Sequence, residues 1–246
     1  MKRVLDITLA LGLLAIFWLP LIIISILILL QDYKSPLYLA PRVSKNNGEF
    51  TMIKLRTMIH NADKNQVDST QSNDMRITKI GSLVRKLKLD ELIQIINVLN
   101  GTMSFVGPRP QVRRDVDLYT DKEKVILTAT PGITDFSSIV FSDEGDILEG
   151  KENPDISYNQ LIRPWKSRLI VFYIENRSIL LDIQLIFLTA YNFINRKKTL
   201  HIISNILKKL GASNELQNIT LRKEKLIPMA PLGSSEIVSS RKINIV

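Results

Sequence analysis

With 246 residues, no cysteine and only two histidines, the chain has no material for disulfides, thiolate zinc sites or thiol nucleophiles, and almost none for a Ser-His-Asp triad or a multi-histidine metal centre. An apolar content of 45% is ample for a core and unlike a disordered composition. Lys and Arg outnumber Asp and Glu by 33 to 24, which suits a polyanion, an anionic lipid surface or a phosphorylated substrate, and leaves catalysis to carboxylates, hydroxyls and cations.

The N-terminus reads Met1-Lys2-Arg3, followed by Val4 to Leu30 with Asp6 as the only charge. As a helix the uncharged stretch Ile7 to Leu30 would extend about 36 Å, enough to cross a hydrocarbon core. A cleaved signal peptide fits poorly, because no small-x-small site follows before Gln31-Asp32-Tyr33-Lys34. Pro20 removes the backbone bond to Ile16 and predicts a kink. Two topologies follow: a spanning helix, or a re-entrant one that bends at Pro20 and keeps Lys2-Arg3 and the basic remainder on one side.

Ser35 to Arg42 reads as a polar, proline-marked entry, and Asn46-Asn47-Gly48-Glu49 as a turn. Phe50 to Met58 alternates like a strand, with Lys54 and Arg56 on one face, either to meet a phosphate or as a solvated edge. His60 to Asp74 suggests a helix end plus an exposed loop, and His60 has no assigned role. A helix over Ser82 to Leu87 is expected, with Ser82 near its cap.

Arg85-Lys86-Leu87-Lys88-Leu89-Asp90-Glu91 then sets two adjacent carboxylates among cations. Leu92, Ile93, Ile95, Ile96, Val98 and Leu99 predict a helix apolar around its circumference, with Asp90 near its start. There Asp90 is either a cap with Glu91 in the first turn, or a functional carboxylate at a site that favours anions. Gly101 should end the helix. Gly107-Pro108-Arg109-Pro110 forms a stiff turn presenting one guanidinium, a fork for phosphate oxygens or an ordinary solvated Arg.

Asp115 to Leu127 looks like a charged surface helix, Thr130-Pro131-Gly132-Ile133-Thr134 like a tight turn, and Asp143-Glu144-Gly145-Asp146 like an acidic loop, solvated or cation-binding. Leu169 to Ile174 and Ile179 to Ile194 are apolar stretches divided by Glu175-Asn176-Arg177. The second is too short to span and carries Asp182, so a core or interfacial helix is expected. Leu200 to Leu210 suggests a basic amphipathic helix, and the remainder a loosely ordered tail. There is no P-loop, no GxGxxG, no internal repeat, and no basic strip with interleaved aromatics of the kind that binds nucleic acid.

Several ordered motifs are similar to those of the bacterial sugar transferases, monotopic phosphoglycosyl transferases that initiate capsule, exopolysaccharide, O-antigen and glycoprotein glycan assembly. They are Lys54-Leu55-Arg56-Thr57-Met58, Leu89-Asp90-Glu91-Leu92, Asn97 to Ser104, Val106-Gly107-Pro108-Arg109-Pro110, Pro131-Gly132-Ile133-Thr134 and Glu175 to Asp182. The resemblance runs from Lys2 to about Thr189. It implies transfer of a phosphosugar from a UDP-sugar to a polyprenyl phosphate (undecaprenyl phosphate), with release of UMP. Asp90 would be the nucleophile that carries an acyl-phosphosugar intermediate, and Glu91, with Asp90, would hold Mg²⁺. Arg85, Arg109, Lys54 and Arg56 would form the cationic shell, with Pro108 and Asp182 as further substrate-binding positions. It also implies an N-terminal segment re-entrant at Pro20, and an active site on the cytoplasmic face of the bacterial inner membrane.

The sequence departs from the pattern at Ile93, where a proline often follows Asp-Glu-Leu, at Leu55, and at Asp135, where glycine is common after Pro-Gly-Ile-Thr. The fold expected is a small α/β domain, mostly helical with a short sheet, on a re-entrant membrane helix and interfacial helices. Residues 1–33 would be the membrane segment, 34–196 the catalytic domain and 197–246 a basic extension. The rival reading is a non-catalytic membrane-bound module that holds anionic lipid or another polyanion through its basic surface.

Overall fold

The apolar N-terminus folds as one helix, α1 (Lys2–Asp32), in a computed structural model that describes residues 1–62 and 74–240. Residues 63–73, most of the loop expected between His60 and Asp74, lie outside the described residues. The helix continues through Pro20 and stops at Tyr33, whose φ of 54° turns the chain out of the helix. It is long and apolar enough to cross a membrane. Ala10, Leu21 and Ile28 are buried, whereas Leu11, Ile16, Trp18, Ile22, Ile23 and Leu30 stand exposed.

Strands β1 (Leu37–Val43) and β2 (Glu49–Leu55) pair antiparallel, with Leu37 opposite Leu55 and Val43 opposite Glu49. Asn46 and Asn47, at φ 55° and 61°, supply the left-handed turn between them. The sequence showed only the second strand. Pro41 disguised the first, yet it is tolerated because each strand of a two-stranded sheet keeps a free edge. Helix α2 (Lys79–Lys86) is capped by Thr78, whose Oγ1 accepts from Gly81 N at 2.9 Å, so the cap lies four residues before the expected Ser82.

The helix expected from Leu92 to Leu99 is instead two short pieces, α3 (Leu89–Leu92) and α4 (Ile95–Leu99). Tight three-residue bonds, Gln94 N to Glu91 O at 3.0 Å and Ile96 N to Ile93 O at 3.1 Å, turn the chain between them. The Asn97 side chain fastens α4 to β2, accepting from Ile53 N at 2.9 Å and donating to Thr51 O at 2.8 Å. Gly101, at φ 86°, ends this segment as expected.

Strand β3 (Ser104–Val106) runs parallel to β4 (Gly132–Thr134), a strand where the sequence suggested only a turn. The two approach so closely that a Cβ on Gly107 would lie 2.3 Å from the Thr130 carbonyl oxygen. Gly107 N donates to Thr134 O and Gly132 N to Pro108 O, both at 2.9 Å, which fixes the turn leading to Arg109.

The expected surface helix over Asp115 to Leu127 is divided between α5 (Arg113–Val116) and a 3₁₀ turn, Glu123–Thr128. Glu123 points inward, 0% exposed, to accept from Arg163 and Ser167. Then come α6 (Phe136–Val140), α7 (Glu144–Leu148) and α8 (Pro154–Ser157), a π turn over Tyr158–Ile162, α9 (Arg163–Asn176) and α10 (Ile179–Ile194). Helices α11 (Arg196–Lys209) and α12 (Asn214–Thr220) follow.

Phe136, Leu169, Tyr173 and Leu185 share one core with Leu200, Ile203, Leu207 and Leu216 of these last helices. Helix α11 is the amphipathic helix expected over Leu200 to Leu210, whereas the remainder differs from the loose tail expected: α12 adds to the core, and the chain then returns across the body, with Met229 N bonding Gln160 O at 3.0 Å. Helix α10 buries Leu181, Leu185 and Leu188 and exposes Leu180, Ile183, Phe187 and Ile194, as an interfacial helix does.

Both ends of α1 are tied to this body. At its start the Asp6 carboxylate accepts from Ser104 Oγ and Phe105 N at 3.0 Å, Lys2 donates to Asp182 and to Val106 O, and Arg3 donates to the carbonyls of Val98 and Leu99. At its end Asp32 receives two 2.6 Å bonds from the Arg56 guanidinium.

The glycine contact gives a direct test. Gly107→Ala should force β3 and β4 apart and lower the melting temperature, a loss of about 1–3 kcal/mol typical of overpacking. A variant that melts like the parent would show that the two strands have room to spare.

Candidate active site

Three segments meet at one place: the end of β2, the short helix α3 and the turn after β3. Lys88, at φ 55°, reverses the chain between α2 and α3 and sets Asp90 and Glu91 in the first turn that follows. Asp90 is 8% exposed, and its Oδ1 is buried without a hydrogen-bond partner. Glu91 is held on both oxygens: Arg109 Nη1 donates to Oε2 at 3.0 Å, Arg109 Nη2 donates to Oε1, and Lys54 Nζ reaches Oε1 at 3.2 Å.

The two neighbours thus differ in electrostatics. Burial, then the charge of Glu91, pushes the Asp90 carboxyl above its usual range, against the pull of Lys54, Arg85 and Lys88. Burial also works against the Glu91 charge, but Arg109 and Lys54 overcome it and hold that carboxyl well below the usual range. Lys54 is lowered by burial despite Glu91 beside it, and Arg109 is raised chiefly by Glu91. Arg85 is lowered by burial, opposed by the charge of Asp90, and is steered by a 2.7 Å bond from its Nε to Thr57 Oγ1.

The structure therefore brings together Lys54, Arg85, Asp90, Glu91 and Arg109, with Pro108 stiffening the turn that presents Arg109. Arg56 and Asp182 are placed elsewhere. After Leu55 the strand ends, so Arg56 leaves the face that Lys54 occupies and is committed to Asp32 and Lys34 O. Asp182, buried, accepts from Lys2 and from Tyr173 OH at 2.6 Å. These two residues fasten the ends of α1.

Behind Arg109 lies a narrow cleft with about 20 Å³ of free space, lined by Arg109, Gln111, Tyr119, Tyr158, Asn159 and Lys166 among others. Apart from Arg109, none of these residues carried a functional signal in the sequence, because they come from segments that meet only in the fold. Thr57 was missed as well, although it lies within a quoted motif.

Among the described residues no three His, Asp or Glu gather as a metal cage. A two-carboxylate donor set suits a divalent cation that takes its remaining ligands from water and substrate phosphates, the usual habit of Mg²⁺. The unpartnered Oδ1 of Asp90 fits that role. The arrangement as a whole joins a carboxylate oxygen that receives no donor to fixed cations, a combination able to attack a phosphate while masking its charge.

Comparison with known proteins places the chain among sugar transferases. The model of the bacterial sugar transferase family matches residues 1–196. The chain is 34% identical, over 70% of its length, to a UDP-N-acetylgalactosamine-undecaprenyl-phosphate N-acetylgalactosaminephosphotransferase of Aeromonas hydrophila, and that match spans 42% of the relative. It is 32% identical over 76% of its length to the exopolysaccharide production protein ExoY of Sinorhizobium fredii, covering 83% of that protein. A UDP-glucose:undecaprenyl-phosphate glucose-1-phosphate transferase of Caulobacter vibrioides is 32% identical over 69% of the chain and is covered over 66%.

The raised Asp90 carboxyl predicts a pH signature. Below the usual carboxylate range Asp90 is protonated whether the chain is folded or not. Above its raised pKa the folded protein must carry a buried charge and loses stability. Asp90→Asn should therefore melt above the parent at pH 7, with the difference shrinking as the pH falls toward 4. A lower melting temperature for the variant at pH 7 would contradict the desolvation of Asp90.

Proposed function

The chain belongs to the bacterial sugar transferase family, and from that premise we propose that it transfers a phosphosugar from a UDP-sugar to a polyprenyl phosphate. The observation that carries the reading is the contrast within the dyad: a buried Asp90 oxygen without a partner beside a Glu91 fully clamped by Arg109 and Lys54.

Asp90 attacks the sugar-bearing phosphorus, the bond from that phosphorus to the bridging oxygen breaks, and UMP leaves. An oxygen of the polyprenyl phosphate then attacks the same phosphorus, restoring the Asp90 carboxylate and yielding a polyprenyl diphosphosugar. Burial makes the ionised Asp90 more basic than a solvated carboxylate, which favours attack. Arg109, Lys54 and Arg85 offset the charge of the diphosphate, Arg109 in the planar geometry that suits two phosphate oxygens. Mg²⁺, held by Glu91 and Asp90 with substrate oxygens, would mask the remaining phosphate charge.

The membrane arrangement supports the same reading. Lys2, Arg3 and Asp6 at one end of α1, and Asp32 at the other, bond to the body that carries the dyad. A helix with both ends on one body suits a re-entrant segment that dips into one leaflet, with the active site at the cytoplasmic face of a bacterial inner membrane. Exposed Trp18, Ile22 and Ile23 then lie within lipid, and a lipid-borne phosphate meets the dyad at the surface.

Purified protein in membrane discs should release UMP only when undecaprenyl phosphate, Mg²⁺ and a suitable donor are all present, with UDP-N-acetylgalactosamine and UDP-glucose included in the panel. Asp90→Asn should lose turnover on the order of 10³-fold or more while remaining folded and membrane-bound. Near-normal turnover in that variant would remove the covalent role, and no release with any donor would favour a non-catalytic module. Cysteines placed at Lys2 and after Arg196 should label from the same side of sealed vesicles; labelling from opposite sides would establish a spanning helix.

A further inference from the structure

Residues 226–238 lie beyond the part of the chain that matches the family model, yet they are tied to the walls of the cleft behind Arg109. The reason begins with Pro164. It has no N–H, so the carbonyl four residues before it, that of Gln160, lacks its helical donor. Met229 N provides the missing bond at 3.0 Å. The Gln160 side chain answers with a 2.7 Å bond from Nε2 to Val238 O, and on the opposite wall Thr120 Oγ1 donates to Leu232 O. Between these ties Gly233, at φ 87°, passes so close that an added Cβ would meet the Lys122 side chain at 3.0 Å.

The bonded segments are those that bring residues to the cleft. The π turn at Gln160 carries Tyr158 and Asn159, and the segment at Thr120 carries Tyr119. Arg163 joins the two walls, donating to Asn159 Oδ1 at 3.0 Å, to Leu118 O at 2.6 Å and to Glu123. A strap across both walls thus fixes the spacing of the two tyrosines. Arg109 borders the cleft and also clamps Glu91, so a donor whose diphosphate lies at Arg109 places one end in the cleft.

The lining offers phenol rings, amides and cations to the hydroxyls of a sugar held beside Arg109, together with Asp115 and the apolar Ile126 and Ile170. A polyprenyl chain fits better at Leu83 and Leu87, exposed at the end of α2, a helix whose Val84 packs with Leu21 and Ile28 of α1. We propose that the C-terminal strap, residues 226–238, is a positioning element that sets the donor-sugar end of the active site. This rests on the phosphosugar-transfer reading above.

Three forms of the protein in membrane discs test it: the full chain, Gln160→Leu, which loses one tie without touching the cleft lining, and a chain ending at Lys225. In both altered forms hydrogen exchange at Tyr119–Glu123 and Tyr158–Arg163 should quicken by at least about tenfold, while the hairpin of β1 and β2 stays protected. The KM for UDP-sugar should rise and the kcat/KM ratio between two UDP-sugars should change, with the KM for undecaprenyl phosphate unaltered. Unchanged exchange in both forms would overturn the strap. So would an equal loss for every donor, or a shortened chain that unfolds while Gln160→Leu behaves like the parent. A full chain that releases no UMP from any donor would defeat the reading beneath the proposal, and the exchange comparison would still decide whether the strap holds the walls.

Discussion

Two carboxylates adjacent in sequence and shielded from water repel one another, and the site depends on the way Arg109 and Lys54 resolve that repulsion. By fixing both oxygens of Glu91 they make one member of the pair permanently anionic. The other, Asp90, is left with desolvation and a negative neighbour, and its proton affinity rises. Arg109 on both oxygens of Glu91 and Lys54 on one thus turn two chemically similar groups into a held anion and a carboxyl of raised proton affinity. The same clamp explains why Arg109 must be held stiffly, through the turn at Pro108 and the close pairing of β3 and β4.

The anchoring of α1 is the second constraint. The exposed residues of this helix are nearly all apolar, and polar side chains secure both of its ends. Asp6 satisfies two donors at the start of β3, Arg3 reaches the Val98 and Leu99 carbonyls at the end of α4, and Arg56 forks Asp32. Arg3 and Arg56 bond at segments that lead directly to or from the dyad. The seat of α1 and the position of the carboxylates are therefore mechanically linked.

Much of this was legible in the sequence. The period-two pattern of Phe50 to Leu55, the Asn-Asn-Gly turn, the glycine stop at Gly101 and the break at Glu175–Arg177 each rest on local chemistry, and each has its counterpart in the fold. The carboxylate pair and Arg109 were recognised from ordered motifs, and the structure brings them together with Lys54. What escaped was non-local. Arg56 and Asp182 read as substrate ligands until α1 appeared beside them, and Glu123 read as a surface charge until Arg163, forty residues later, faced it. Pro41 concealed a strand that only its partner reveals. The tail looked polar because its apolar positions are spaced to fill gaps in a core built from other helices.

The separation of α1 from its partners also has a consequence in time. Asp6 waits for Ser104 and Phe105, and Lys2 for Asp182, 98, 99 and 180 residues later along the chain. During synthesis α1 emerges long before any of these partners exists. Its seat against the body is fixed only when α10 has been made. Such long-range closures are slow steps in folding. The newborn chain thus passes through a period in which the apolar helix exists but the body that seats both of its ends does not, so α1 is made before the place that holds it.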